Sequence, residues 1–167
     1  MRRITQRFDT EPLAAAFEFL PRGLADRLEG VHFFAGTDPL FAGLHMTAST
    51  DDGRSYRDTA HVLYPARLKR PAADRFTTVA IPAWTGPAWW WPAMVVHELG
   101  HVLDWQLSFT HHAEPVTSYA RTNRQEAFAE AFAAWVLPFG HGYGDAKDRL
   151  YDTDRRTVAL FDGLAVT

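Results

Sequence analysis

The chain has 167 residues, enough for one domain with a buried core, and its composition, 47% hydrophobic and 14% aromatic, is that of a globular protein. The net charge of −3, with arginines scattered among acidic residues, excludes the basic surface that nucleic-acid binding requires. No apolar run is long enough to span a membrane, and cysteine is absent, so no disulfide can form. We therefore expect a single domain over residues 1–167, with neither a nucleic-acid nor a membrane partner.

The start of the chain lacks the pattern of a signal peptide. Met1 to Ile4 is basic, but residues 5–7 are polar where a signal peptide needs an apolar run. The default expectation is a cytoplasmic protein. Secretion by a non-standard route, or trimming of a longer chain, would leave the same sequence.

Residues 1–30 are expected to form a helical N-terminal portion. Asp9 to Pro12 has the polar residues and the proline that are typical of a helix start, and the apolar stretch Leu13 to Leu20 follows it. Past Pro21, a second helical stretch reaches Leu28.

Residues 31–84 are expected to be rich in strands. Apolar, β-branched and aromatic residues mark four short segments there: 31–34, 44–49, 56–64 and 76–81. Asp51-Asp52-Gly53 is typical of a hairpin turn between the second and third segments. Because strands are mixed with helices, we predict an α+β fold class with a small mixed sheet.

Tryptophan is concentrated just before the next predicted helix. Four of the six tryptophans lie between Trp84 and Trp91. Aromatic clusters of this kind either pack a helix start into the core or wall a substrate pocket, here as a lid hinged near Gly86.

The segment from Pro92 to Leu107 predicts an apolar helix that carries the pattern His97-Glu98-x-x-His101. Positions i and i+4 share one face of a helix, so His97 and His101 can bind one metal ion. Glu98 is adjacent and can accept a proton from a water on that metal. Bare histidines and a glutamate are costly in a buried helix without a partner, and the pattern therefore predicts a zinc-dependent peptidase.

A catalytic zinc site of this kind needs a third protein ligand. A second predicted helix, ending before Pro138, carries Glu126 and Glu130, which share one face at i and i+4. Asn123 and Glu126 also match a capping box, in which case Glu126 only caps the helix and Glu130 is the ligand. Asp104 is a further candidate, as a partner of a ligand histidine, as a cap, as the partner of an arginine, or as the ligand itself.

The sequence His-Glu-Leu-Gly-His, followed by Tyr-Ala, Asn and Glu-Ala-Phe-Ala-Glu-Ala-Phe, resembles the catalytic domain of anthrax lethal factor and the related Pro-Pro endopeptidases. The resemblance covers roughly residues 95–135. These proteins are gluzincins, zinc peptidases whose third ligand is a glutamate on a second helix. In that family a tyrosine lies seven residues before the ligand glutamate, and Tyr119 lies seven before Glu126.

The resemblance implies a compact zincin-like domain whose two metal-site helices lie within residues 92–137. It implies that Glu126 is the third ligand, that Glu130 supports a ligand histidine, and that Tyr119 steadies the oxyanion. In zinc peptidases generally, the strand that precedes the active-site helix lies at the sheet edge, where an extended substrate can pair with it. Segment 76–81 is therefore either such a substrate-binding edge strand or an ordinary strand of the sheet.

The pair His111 and His112 is expected on a surface loop. The remaining histidines do not have the spacing of metal ligands; they lie at positions 32, 45, 61 and 141. A short structural helix is expected from Thr153 to Leu160.

Together these features predict a zinc-dependent endopeptidase that cleaves a narrow set of peptide or protein substrates. Zn²⁺ is the expected cofactor, with a metal-activated water attacking the peptide bond and Glu98 as general base. The alternative is an inactive zinc-binding module that holds a peptide or partner without cutting it.

Overall fold

The computed structural model describes residues 11–28, 31–35, 61–63, 78–81 and 90–166. The predicted strand 44–49, the hairpin turn 51–53 and the part of the tryptophan cluster at 84–89 lie outside these residues.

Two short helices open the described chain, as the sequence predicted. Helix α1 spans Glu11–Glu18 and helix α2 spans Arg22–Leu28, with Pro21 between them. Their apolar faces lie in the core, where Leu13, Leu24 and Leu28 are at most 2% exposed.

Three short strand segments follow: β1, His32–Ala35; β2, His61–Leu63; and β3, Thr78–Ile81. Their order is β1-β3-β2, with β1 parallel and β2 antiparallel to β3. Two roles were left open for segment 76–81, an edge strand that pairs with substrate or an ordinary strand. Its described part, Thr78–Ile81, is an ordinary strand with a neighbour on each side.

The expected α+β fold class with a small mixed sheet is also wrong as a description of this molecule. Helices account for 71% of the residues for which the structure describes both backbone and side chain. The strand segments are three or four residues long, and the described core takes one of their side chains, Phe33. Short apolar runs favour strands in sequence, but most of the buried apolar side chains that the structure describes belong to helices.

The central pair of helices carries the candidate site. Helix α3 spans Trp91–Gln106 and begins with a proline in its first turn, and helix α4 spans Arg124–Val136. Both are buried over most of their length and pack against each other. This confirms the two helices that the sequence predicted, to within one residue at the α3 boundaries.

Two further helices complete the described chain: α5, Gly144–Thr153, and α6, Arg155–Ala165. The helix predicted from Thr153 to Leu160 is present, but it starts at Arg155, after Asp154, and continues to Ala165. The Asp154 carboxylate accepts a hydrogen bond from the Thr157 backbone N–H and so caps a new helix.

Phe161 of α6 packs against Phe128 and Phe132 of α4, and Leu150 of α5 belongs to the same core. Among the described residues, none of the helices has the length and apolar character needed to cross a membrane.

Candidate metal centre

Helices α3 and α4 approach closely at Gly100. A Cβ atom at this position would lie 2.9 Å from the Cα of Ala129 and 3.2 Å from its carbonyl oxygen. The absence of a side chain at Gly100 therefore sets the distance between the helices. Since Gly100 lies next to His101, this close contact is at the level of the predicted metal ligands.

His97, His101 and Glu126 come together between the two helices. Each offers one ligand atom, and the three atoms lie within 4.8 Å of one another. The Nε2 atoms of His97 and His101 are 3.0 and 3.3 Å from the same carboxylate oxygen, Oε2 of Glu126. The geometry favours Glu126 over Glu130 as the third member of the group.

The capping-box alternative is half correct. Asn123 caps α4, because its side-chain oxygen accepts the backbone N–H of Glu126 at 2.9 Å. The Glu126 carboxylate, however, is directed at the two histidines. Burial would raise the pKa of Glu126, but hydrogen bonds from His101 and His97 lower it well below its usual range.

Both ring nitrogens of His97 contact carboxylates. Nε2 faces Glu126, and Nδ1 lies 2.7 Å from Oε1 of Glu130. Burial alone would lower the pKa of His97, but the hydrogen bonds to Glu126 and Glu130 raise it to about 10. In this arrangement Glu130 fixes the Nδ1 side of the ring, as the resemblance implied.

Glu98 lies on the same helix and is 5% exposed. Its Oε2 has no hydrogen-bond partner among the residues that the structure describes. Burial raises the pKa of Glu98, although the neighbouring His101 and His97 oppose this shift. A buried carboxylate oxygen without a partner is costly, and it marks a place where a further polar group can bind.

Tyr119 lies at the rim of this group. It begins a 3₁₀ turn, Tyr119–Arg121, and its ring centroid is 6.0 Å from that of His97. Tyr119 is 44% exposed. The structure therefore places the Tyr119 ring beside His97, and the oxyanion role that the resemblance implies stays a prediction.

Asp104 is fully buried, and its partner is an arginine. Arg124 donates hydrogen bonds to both carboxylate oxygens, at 3.1 and 2.6 Å, and also to the carbonyl oxygen of His111 at 2.6 Å. Of the roles considered for Asp104, the structure therefore shows the ion pair with an arginine.

The histidine pair after α3 was predicted on the surface, and this is wrong for His111. The His111 side chain is 8% exposed, contacts the Phe128 ring and lies 2.7 Å from the Thr157 hydroxyl, whereas His112 is exposed. The His141 ring lies against the Phe19 ring and is not part of the group of three ligand atoms. The side chains at 32, 45 and 61 lie outside the described residues.

Two residues near the site gave no sequence signal. The hydroxyls of Thr117 and Tyr143 both donate to Glu130, at 2.6 and 2.7 Å. Neither lies at a fixed spacing from the His-Glu-x-x-His pattern, because one belongs to the loop before α4 and the other to the loop after it. Only the folded chain brings them to Glu130.

No protein-family model matches the chain, and a search of curated proteins finds no match either.

Proposed function

We propose that the chain is a zinc-dependent endopeptidase whose metal ligands are His97, His101 and Glu126. The observation that carries this proposal is the placement of Glu98. A buried carboxylate with an unpartnered oxygen lies directly beside three convergent donor atoms.

The residues present fit a zinc ion. Two imidazole nitrogens and one carboxylate oxygen form a donor set typical of catalytic zinc, which keeps a fourth position open. Their mutual distances, at most 4.8 Å, allow one ion to contact all three. The Nδ1 contact of His97 with Glu130 leaves Nε2 as its ligand atom.

Bound Zn²⁺ would act as a Lewis acid that polarises the peptide carbonyl and lowers the pKa of a water. Glu98 would accept the proton of the attacking water and then deliver it to the leaving amine. The Tyr119 hydroxyl would donate a hydrogen bond to the oxyanion.

The same carboxylate favours a peptidase over a zinc module that only binds. A structural zinc site is closed by four protein ligands and has no use for an adjacent unpaired acid. Among residues 90–166 the structure groups three ligand atoms, with Glu98 beside them. The proposed substrate is a peptide or protein segment, because hydrolysis of an amide bond needs both an activated water and protonation of the leaving amine.

The test combines metal analysis with peptide cleavage. Zinc bound to the purified full chain is measured by competition with a chromophoric chelator, for the native chain and for Glu98→Gln and Glu126→Ala. Each protein is then incubated with a diverse peptide library, and products are identified by mass spectrometry. Glu98→Gln is the matched control, because it keeps the size of the side chain and removes the base.

The proposal predicts products with the native chain only, retained zinc in Glu98→Gln and lost zinc in Glu126→Ala. Tight zinc binding by the native chain without any Glu98-dependent product would leave a zinc-binding module as the function. If Glu126→Ala keeps full zinc affinity while Glu130→Ala loses it, the ligand assignment is wrong.

A further inference from the structure

Glu130 is held at both carboxylate oxygens by groups from different parts of the chain. Oε1 accepts from the Tyr143 hydroxyl at 2.7 Å and lies 2.7 Å from Nδ1 of His97. Oε2 accepts from the Thr117 hydroxyl at 2.6 Å. Glu130 itself is 6% exposed, so these three groups take the place of water around its charge.

We infer that Tyr143 and Thr117 are positioning residues of the metal centre, which hold Glu130 so that the His97 ring presents Nε2 to the metal. This inference rests on the proposed function for the identity of the metal. The contacts among the four side chains are independent of it.

The physical reason lies in the freedom of the glutamate side chain. A carboxylate that accepts one hydrogen bond can rotate about its terminal torsion, whereas one held at both oxygens has a single orientation. That orientation fixes the Nδ1–H bond of His97, and with it the ring plane and the tautomer. Removing a hydroxyl donor also leaves a buried carboxylate less well satisfied, which weakens the whole group.

Thr117 has a second contact that extends the group to the rim of the site. Its hydroxyl oxygen accepts the backbone N–H of Ala120 at 3.0 Å while its proton goes to Glu130. Ala120 is buried and directly follows Tyr119 in the 3₁₀ turn. The Thr117 hydroxyl therefore links Glu130, which contacts His97, to the turn that carries Tyr119. The Tyr143 hydroxyl contacts the other carboxylate oxygen of Glu130.

The variants to compare are Tyr143→Phe and Thr117→Val, which remove the hydroxyl and keep most of the side-chain volume. Thr117→Ser is the conservative variant that restores a hydroxyl. Tyr151→Phe is the matched control, because Tyr151 lies on α5 and is 38% exposed. Thermal unfolding of each metal-free variant shows whether it is folded.

Two readouts are measured on the full chain: the zinc dissociation constant by chelator competition, and the Nδ1–H signal of His97 in histidine-¹⁵N-labelled metal-free protein. We expect Tyr143→Phe and Thr117→Val to weaken zinc binding by about ten- to a hundred-fold, the usual effect of losing an outer partner of a ligand. The Nδ1–H signal should shift and exchange faster with solvent in both. Thr117→Ser and Tyr151→Phe should resemble the native chain.

Folded Tyr143→Phe and Thr117→Val variants with native zinc affinity and an unchanged Nδ1–H signal would overturn the inference. If the native chain binds no zinc, the proposed function fails, and the Nδ1–H signal alone decides whether these hydroxyls position His97. The two failures are thus distinguishable.

Discussion

Arg124 and Asp104 form a bidentate ion pair between the two helices of the candidate metal centre, with N–O distances of 3.1 and 2.6 Å. Asp104 lies three residues after His101, and Arg124 lies two residues before Glu126. The ion pair therefore joins the helices close to the proposed ligands. Because Asp104 is 0% exposed, its charge depends on the guanidinium for the stabilisation that water would otherwise give.

Replacing Arg124 with methionine should destabilise the fold by about 3 kcal/mol, because it leaves a buried carboxylate without its partner. The free energy of unfolding is measured by urea denaturation of the native chain and the variant. Arg22→Met is the matched control, since the pair of Arg22 with Asp26 spans 3.9 Å on the surface and should contribute little.

The double variant Arg124→Met with Asp104→Leu separates the ion pair from the loss of packing. It should recover much of the stability, because an apolar pair needs no compensation for a buried charge. An Arg124→Met variant as stable as Arg22→Met would show that Asp104 does not depend on the ion pair.

Gly100→Ala should destabilise the protein by about 1–3 kcal/mol, because the new methyl group would overlap the backbone of Ala129. This loss should exceed the gain of about 1 kcal/mol in helix propensity. Zinc affinity should fall as well, since α4 carries Glu126 and has to move away from α3. Thermal unfolding and chelator competition measure the two effects.

Gly163→Ala provides the control for helix propensity. Gly163 lies in α6, and a Cβ there would meet no atom within 4 Å. The substitution should stabilise the protein by about 0.5–1 kcal/mol. If Gly100→Ala gives the same stabilisation, the contact between α3 and α4 does not depend on this glycine.

The sequence predicted the helix that carries His97 and His101 well because its signal is local. His97 and His101 share a face through helical spacing alone, and no tertiary contact is needed to place them together. The choice between Glu126 and Glu130 was different. The two glutamates lie one turn apart on the same face of α4. Which of them contacts Nε2 of His97 and which contacts Nδ1 depends on the distance and rotation between α3 and α4.

Tertiary contacts also explain where the sequence predictions were wrong or left alternatives open. His111 and His112 are adjacent and alike in sequence, yet His111 packs against Phe128 and contacts the Thr157 hydroxyl of α6. Segment 76–81 reads as a strand that can lie at an edge or inside a sheet. Its neighbours on both sides come from distant parts of the chain, and local pattern does not encode that pairing.

Tyr119→Phe should lower the turnover number by about ten- to a thousand-fold, the usual range for one oxyanion donor. Zinc affinity should remain that of the native chain, because the proposed ligand atoms belong to His97, His101 and Glu126. The measurement is steady-state cleavage of a peptide found in the library screen, together with chelator competition. Unchanged turnover would exclude Tyr119 as the oxyanion donor.

Acidification should destabilise the fold through His111. Burial, together with the positive Arg156, lowers the pKa of His111, although Asp154 and Asp104 oppose this shift. The Thr157 hydroxyl donates to Asp154 and can therefore only accept from Nε2 of His111.

In the unfolded chain His111 has the ordinary histidine pKa of about 6.5. The unfolded chain therefore binds a proton at His111 more readily than the folded chain does. The contribution of His111 to the free energy of unfolding is therefore complete above that pH and decreases as the pH falls toward the lower pKa of the folded state.

The measurement is urea denaturation of the native chain and His111→Gln between pH 8 and pH 5. Glutamine keeps an N–H donor for Thr157 and does not titrate, so the other ionisable groups cancel in the difference between the two proteins. The native chain should lose stability relative to His111→Gln below about pH 6.5. A difference that stays constant across the range would mean that the pKa of His111 is the same in the folded and unfolded chain.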